Sequence, residues 1–210
     1  MAGDAEQSAR ELVVVIMAGG AGTRFWPVST RSRPKQFLRL LGERSLLQTS
    51  FDRVRALVPP HRLLVLTHAE FVSLVREQLP EVPEENVIGE PLRRDTAAAV
   101  CLGAVLCRRR FGNPVMAMLT ADHVIEPEDA FHRVLLSAAR HARKSGALYT
   151  FGIPPTFPAT GAVEALLFGG LGNCLTRERP NGPETFAAHQ EVDSASRLAG
   201  AGLSSVMSPC

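Results

Sequence analysis

Ile16-Met17-Ala18-Gly19-Gly20-Ala21-Gly22-Thr23-Arg24-Phe25-Trp26-Pro27, closed downstream by Arg33-Pro34-Lys35-Gln36-Phe37, is the stretch around which the rest of this chain is organised. The run 12–17 is continuous, apolar and β-branched, as a strand buried on both faces of a parallel sheet should be. Three glycines follow where the chain must turn, and glycine lets backbone N–H groups come close to an anion. Arg24 lies just past the turn and Lys35 is pre-positioned by Pro34, so both cations reach a polyphosphate held by the loop. A tight strand-to-helix connection alone also favours glycine; the two cations are what turn the stretch into a phosphate cradle. Its spacing has neither the Gly-Lys-Ser/Thr ending of a Walker loop nor the G-x-G-x-x-G of a dinucleotide fold.

With both cations and the intervening Trp26-Pro27, the pattern closely resembles the signature of the sugar-1-phosphate nucleotidyltransferases. Phe25-Trp26-Pro27 with Pro34-Lys35-Gln36-Phe37-Leu38 resembles the mannose-1-phosphate guanylyltransferase branch of that family. The resemblance runs from about Leu12 to Gly161. It implies an α/β fold, an open and mostly parallel sheet of βαβ units of the Rossmann-like nucleotide-diphospho-sugar transferase type.

Composition is compatible with that expectation. The 210 residues are 45% hydrophobic and 21% charged, which is enough for one good core, and one domain is the default. A net charge of only +2 argues against a nucleic-acid footprint or a membrane-binding face. Residues 1–11 are polar and small, and no segment reaches the ~18 apolar residues of a membrane span, so a cytoplasmic location is expected. Cys101, Cys107, Cys174 and Cys210 form no CxxC pair and read as free thiols, with Cys101 and Cys107 placed in the core of a helix. Among 23 basic residues only Lys35 and Lys144 are lysine, which suggests that the signature needs a compact ammonium at position 35.

Along the chain, Ser45-Leu46-Leu47-Gln48 is a capping box opening a helix with Leu47, Phe51, Val54 and Leu57 on one face. A second strand is predicted over 63–67, an amphipathic helix over 69–79, a third strand over 86–88 and a small-residue helix from Asp95 or Thr96 to about Arg109. A fourth strand covers 115–119. Pro127-Glu128-Asp129 begins a helix with acidic residues in its first turn, and Arg140, Arg143 and Lys144 lie in the last turn before Gly146. Residues 147–152 read as a fifth strand. The glycine loop, Glu90, Asp122 and the Gly152 turn thus fall at strand C-termini, the rim where open parallel sheets bind ligands.

On that rim Asp122 is the natural Mg²⁺ ligand, because a hard cation bridging phosphates takes carboxylate oxygen and keeps several waters. The alternative is a turn-stabilising aspartate. Leu119-Thr120-Ala121-Asp122-His123 resembles the family's Leu-Pro-Ala-Asp-His, with Thr120 in place of proline. His123 is expected to be a hydrogen-bonded structural residue, since an attacking sugar phosphate is already anionic. Glu90 carries the base preference: guanine offers two adjacent donors, N1–H and its amino group, and a carboxylate accepts both, whereas adenine offers no such pair. Gly89-Glu90-Pro91 and Arg94-Asp95-Thr96-Ala97 resemble the family's nucleotide-binding stretches, with Asp95 replacing asparagine and Ala98 replacing proline; Asp95 reads as an N-cap.

The resemblance implies guanylyl transfer: mannose-1-phosphate attacks the α-phosphorus of GTP, pyrophosphate leaves and GDP-mannose forms. It implies that Ala18, Gly19, Gly20, Gly22 and Thr23 bind the nucleotide together with Glu90 and Thr96. By the same resemblance Arg24 stabilises charge on the leaving pyrophosphate, Lys35 holds the α-phosphate side and Asp122 binds Mg²⁺. Two other readings stand beside it: a catalytically inactive nucleotide-binding or regulatory protein, and a nucleotidyltransferase for another base, against which Glu90 and Trp26-Pro27 argue. The oligomeric state is left open.

The match ends at Thr160-Gly161, where family members continue into sugar-binding strands that supply a second metal carboxylate. Basic residues fall from 20 in 1–161 to 3 in 162–210, and acidic residues from 16 to 5. Residues 1–161 are therefore expected to be an incomplete nucleotide-binding domain and 162–210 a divergent, poorly ordered tail, within which 163–168 adds an apolar strand or short helix. Glu191 and Asp193 are the carboxylates available in the tail, with no supporting motif around them. A sheet left open there exposes an apolar edge.

Overall fold

The structure, a computed structural model, describes residues 11–20, 26–30, 32–40, 42–92, 96–151 and 165–168. Strand β1 (Leu12–Ala18) is flanked by parallel neighbours on both sides, β2 (Leu63–His68) and β4 (Val115–Thr120). Its register places Ile16 opposite Val65 and Leu119. β3 (Val87–Glu90) extends the sheet beyond β2, and β6 (Ala165–Phe168) and β5 (Leu148–Thr150) extend it beyond β4, giving the order β3-β2-β1-β4-β6-β5. β6 runs antiparallel to both its neighbours. The open, mostly parallel sheet is the one expected from the sequence, and 165–168 adopts the strand alternative.

Both faces of the sheet are covered, which is why β1 reads as an unbroken apolar run. Leu12, Val14, Ile16 and Ala18 face a core shared with α1 (Leu46–Arg55), α2 (Val72–Gln78) and α4 (Glu128–Ser145), through Leu47, Phe51, Val75, Phe131 and Leu135. Val13 and Val15 face the other way, onto Ala99, Val100, Ala104 and Cys107 of α3 (Thr96–Phe111). Residues 12–16 are fully buried. Burying one such side chain is worth about 1.5–3 kcal/mol, so the central strand contributes strongly to the core, as do the equally buried β2 and β4 beside it.

Local signals place the helices. The Ser45 hydroxyl accepts the Gln48 N–H and the Gln48 side chain accepts the Ser45 N–H, completing the expected box. α4 ends on Gly146 at φ 67°, a left-handed cap whose N–H donates to the Ala142 carbonyl at 2.9 Å. Cys101 corrects an expectation: α3 buries the stripe Ala99, Val100, Gly103, Ala104 and Cys107, and Cys101 lies off it, exposed. Cys107 is in the core, where burial pushes its thiol pKa up to about 12. No helix among the described residues is long and apolar enough to cross a membrane.

Candidate functional site

β1 stops at Ala18 with its last carbonyls turned toward side chains rather than toward another strand. The Ala18 carbonyl accepts Gln36 Nε2 at 2.9 Å and Thr67 Oγ1 at 3.0 Å, and the Gly20 carbonyl accepts the same Gln36 Nε2 at 3.1 Å. A Cβ added at Gly20 would meet no atom of the described residues within 4 Å, so a ligand can approach the backbone there closely. The 3-10 turn Lys35–Phe37 follows Pro34, and Phe37 anchors it by burying its ring against Phe71, with centroids 5.6 Å apart. That anchor holds Lys35 and Gln36 at the end of the glycine turn.

Across the turn, the Ala121 N–H donates to the Met17 carbonyl at 3.0 Å and clips the segment after β4 onto β1. Asp122 follows directly, and its Oδ2 accepts Lys35 Nζ at 2.7 Å. Burial pushes the Asp122 carboxyl up, but the Lys35 hydrogen bond and charge, with His123 and the Thr120 hydroxyl, outweigh it and hold the group below the usual carboxylate range. Thr120 Oγ1 and His123 Nδ1 share a hydrogen bond of 2.8 Å, and the His123 carbonyl accepts Arg53 Nη2 at 2.7 Å. His123 is thus tied into the structure at both ends, as expected. Thr120 supplies a hydroxyl that a proline at that position would lack.

On the far side of the turn stands Glu90. The sequence placed it just beyond the third strand; it is the last residue of β3, because pairing continues through Thr67 with Gly89 and His68 with Glu90. Its Oε2 lies 3.5 Å from where a Cβ on Gly19 would sit, so the carboxylate closes over the glycine turn. Burial pushes the Glu90 carboxyl up, and the nearby His68 offsets part of that. Gly89 has its own reason to be glycine. A Cβ there would come within 2.8 Å of Val72 Cγ2 and 3.0 Å of Ala69 Cα.

These groups enclose one cleft of about 400 Å³ that includes Gly19, Gly20, Lys35, Glu90, Thr96 and Asp122 in its lining. Ala18 is also in the wall. Of the residues singled out from sequence, Gly22, Thr23 and Arg24 lie outside the described residues, as do Arg94, Asp95, the Gly152 turn, Glu191 and Asp193. Gln36 and Thr67 had not been assigned roles from sequence. Gln36 was visible only as part of the quoted motif, and a buried amide bonding backbone carbonyls leaves no spacing signal of its own. Glu90 and Asp122 belong to β3 and the segment after β4, three strand spacings or roughly 14 Å apart, with the glycine turn between them. Chemically, this arrangement offers a cation and the backbone of Gly19 and Gly20 at the centre, an ionised carboxylate on one side and a hydrogen-bond acceptor on the other. Among the described residues no group of three or more His, Cys, Asp or Glu is placed to hold a metal unaided.

Residues 13–163 match the nucleotidyl transferase family model. The chain is 43% identical over 152 residues to a mannose-1-phosphate guanylyltransferase of Escherichia coli, covering 71% of this chain and 32% of that one. It is 41% identical over 153 residues to the xanthan biosynthesis protein XanB of Xanthomonas campestris pv. campestris, covering 72% and 32%. The crystal structure of a mannose-1-phosphate geranyltransferase from Thermus thermophilus superposes with a TM-score of 0.63 at 29% identity, covering 79% of this chain and 52% of that one. The chain spans about a third of the length of the curated relatives it matches.

Proposed function

Since this chain belongs to the nucleotidyl transferase family, we propose that its strand-end cleft binds GTP with Mg²⁺ and carries guanylyl transfer to mannose-1-phosphate, releasing pyrophosphate and forming GDP-mannose. The observation that carries the proposal is the Lys35–Asp122 pair beside an open glycine turn, with Glu90 on the opposite side. Similarity to relatives named mannose-1-phosphate guanylyltransferase supports this choice of base and sugar.

In this account the triphosphate lies over Gly19 and Gly20, and Lys35 turns its ammonium from Asp122 to the phosphate oxygens. Arg24, Gly22 and Thr23, which lie outside the described residues, are assigned to phosphate binding by the family resemblance alone. Asp122, an ionised carboxylate, would hold Mg²⁺, and the ion when bound would supply neutralisation of phosphate charge. Glu90 accepts the two guanine donors, and Thr96, at the start of α3, contributes to the nucleotide wall. No covalent protein nucleophile is needed. The residues position an anionic nucleophile and stabilise the charge that shifts to the leaving pyrophosphate.

The test is pyrophosphate release by the purified chain from GTP with Mg²⁺, with and without mannose-1-phosphate. Release that depends on the sugar phosphate is expected. GTP binding without any such release assigns the chain to the second reading, a nucleotide-binding module, and absence of both overturns the nucleotide site.

A further inference from the structure

We propose that Gln36 is a positioning residue for triphosphate recognition: its side-chain amide holds the glycine turn in the form that accepts phosphate. The inference rests on the cleft being a nucleoside-triphosphate site. Gln36 is only 2% exposed, and an amide NH₂ has two hydrogens to donate. Its Nε2 bonds two carbonyls of one turn, Ala18 at 2.9 Å and Gly20 at 3.1 Å. A peptide is planar and trans, so its N–H points opposite to its carbonyl. Holding the Ala18 carbonyl toward Gln36 and Thr67 therefore fixes where the Gly19 N–H faces. It also keeps the negative ends of two carbonyl dipoles away from an incoming anion, in a turn whose glycines would otherwise permit rotation. Thr67 backs up only the Ala18 carbonyl; for Gly20, Gln36 is the bond described.

The neighbour in sequence makes the arrangement a bracket. Lys35 and Gln36 sit on one 3-10 turn, the first bonded to Asp122 after β4 and the second to the turn after β1. Gln36 thus sets the backbone donors of the cradle in fixed relation to its cation and its carboxylate without being required to touch the ligand.

The probes are inorganic tripolyphosphate, GTP and ATP, each with Mg²⁺, titrated into the full chain and into Gln36→Met, Gln36→Glu and Thr67→Val. With both donors gone, Gln36→Met is expected to bind tripolyphosphate and GTP about tenfold or more weakly, with the GTP-to-ATP ratio unchanged. Thr67→Val, which leaves both Gln36 bonds, is expected to lose less. Gln36→Glu is read as a pH profile between about 5 and 9, a range that brackets the titration of a buried carboxyl pushed up by desolvation. Ionised, it turns a carboxylate on two carbonyls and binding is weak; protonated, it donates one bond and part of the affinity returns. His68, Glu90, Asp122 and Lys35 line the same cleft. They are common to variant and wild type, so the variant-to-wild-type ratio isolates position 36.

A merely structural role would lower the melting temperature without a recovery on acidification. A folded Gln36→Met that binds tripolyphosphate like the wild type, or a flat Gln36→Glu ratio across the pH range, overturns the inference. If Gln36→Met fails to fold, the Gln36→Glu profile and Thr67→Val decide it alone. A wild type that binds neither probe instead overturns the nucleotide-site reading and this inference with it.

Discussion

Lys35 and Asp122 pair directly with one another, so substituting one has two expected effects. Lys35→Ala removes a charge-assisted contact worth about 1.5–3 kcal/mol, and triphosphate affinity or turnover should fall tenfold or more in titration or kinetics. It also leaves burial of Asp122 without its main offset, so that carboxyl should titrate higher. Asp122→Asn should abolish the Mg²⁺ dependence of nucleotide binding while the chain still melts cooperatively. Linkage gives the sign of the acid response. Asp122 has a folded pKa below its unfolded value, so its contribution to stability is present above the unfolded value and lost as pH falls through the folded one. Melting temperatures against pH should therefore drop less steeply in acid for Asp122→Asn than for the wild type. Glu90 is shifted the other way, toward the neutral form, which cannot accept both guanine donors. The preference for GTP over ATP should consequently decline on acidification at a pH above the ordinary glutamate range, and the ratio of the two affinities removes the common titration of the phosphates. At this scale Asp122 and Glu90 were legible as charged residues at strand ends, and Lys35 as the cation that follows Pro34 in the glycine signature. Gln36, Thr67 and Arg53 were not, since each acts through a backbone carbonyl distant in sequence.

Elements were legible where local chemistry sets them and less so where tertiary pairing does. The capping box was read directly, and it does more than start α1: Ser45 Oγ donates to Gln78 Oε1 at 2.6 Å, while Gln78 Nε2 donates to the Phe37 carbonyl at 3.2 Å. Ser45→Ala should cost about 0.5–2 kcal/mol in denaturant melts for the lost cap, and more if the Gln78 link loosens the turn bearing Lys35. The end of β3 was read two residues early, because nothing in Ile88-Gly89-Glu90-Pro91 reveals that β2 still offers partners there. The helix read over 69–79 begins instead as a 3-10 turn, Ala69–Phe71, with α2 following from Val72 to Gln78. Ala69 of that turn and the Val72 side chain just after it are what come close to Gly89. Gly89→Ala should destabilise the fold by about 1–3 kcal/mol, as overpacking does, and shift Glu90 enough to weaken discrimination among bases; equal melting points for variant and wild type would contradict this.

For the molecule as a whole, the sheet order places the glycine turn between Glu90 on β3, the proposed base reader, and Asp122 after β4, the proposed metal ligand. β6 lies between β4 and β5 although it falls beyond the end of the family resemblance at Gly161, and apolarity alone could not show whether 163–168 would pair as a strand. A chain ended at 161 leaves β4 and β5 without their shared neighbour, so it should melt lower and aggregate more readily than one ended at 168. Because the proposed base and phosphate contacts belong to different strands, they should be separable by a single substitution. The most direct test is competition binding of GTP, ATP and tripolyphosphate with Mg²⁺ to wild type and Glu90→Gln. The amide presents one acceptor and one donor, so a guanine donor is left facing a donor. The expected result is a GTP-to-ATP preference that collapses, since a buried polar partner left unpaired discriminates strongly, while tripolyphosphate affinity is retained. An unchanged ratio of GTP to ATP in the variant, or a wild type with no preference for GTP, would contradict the account.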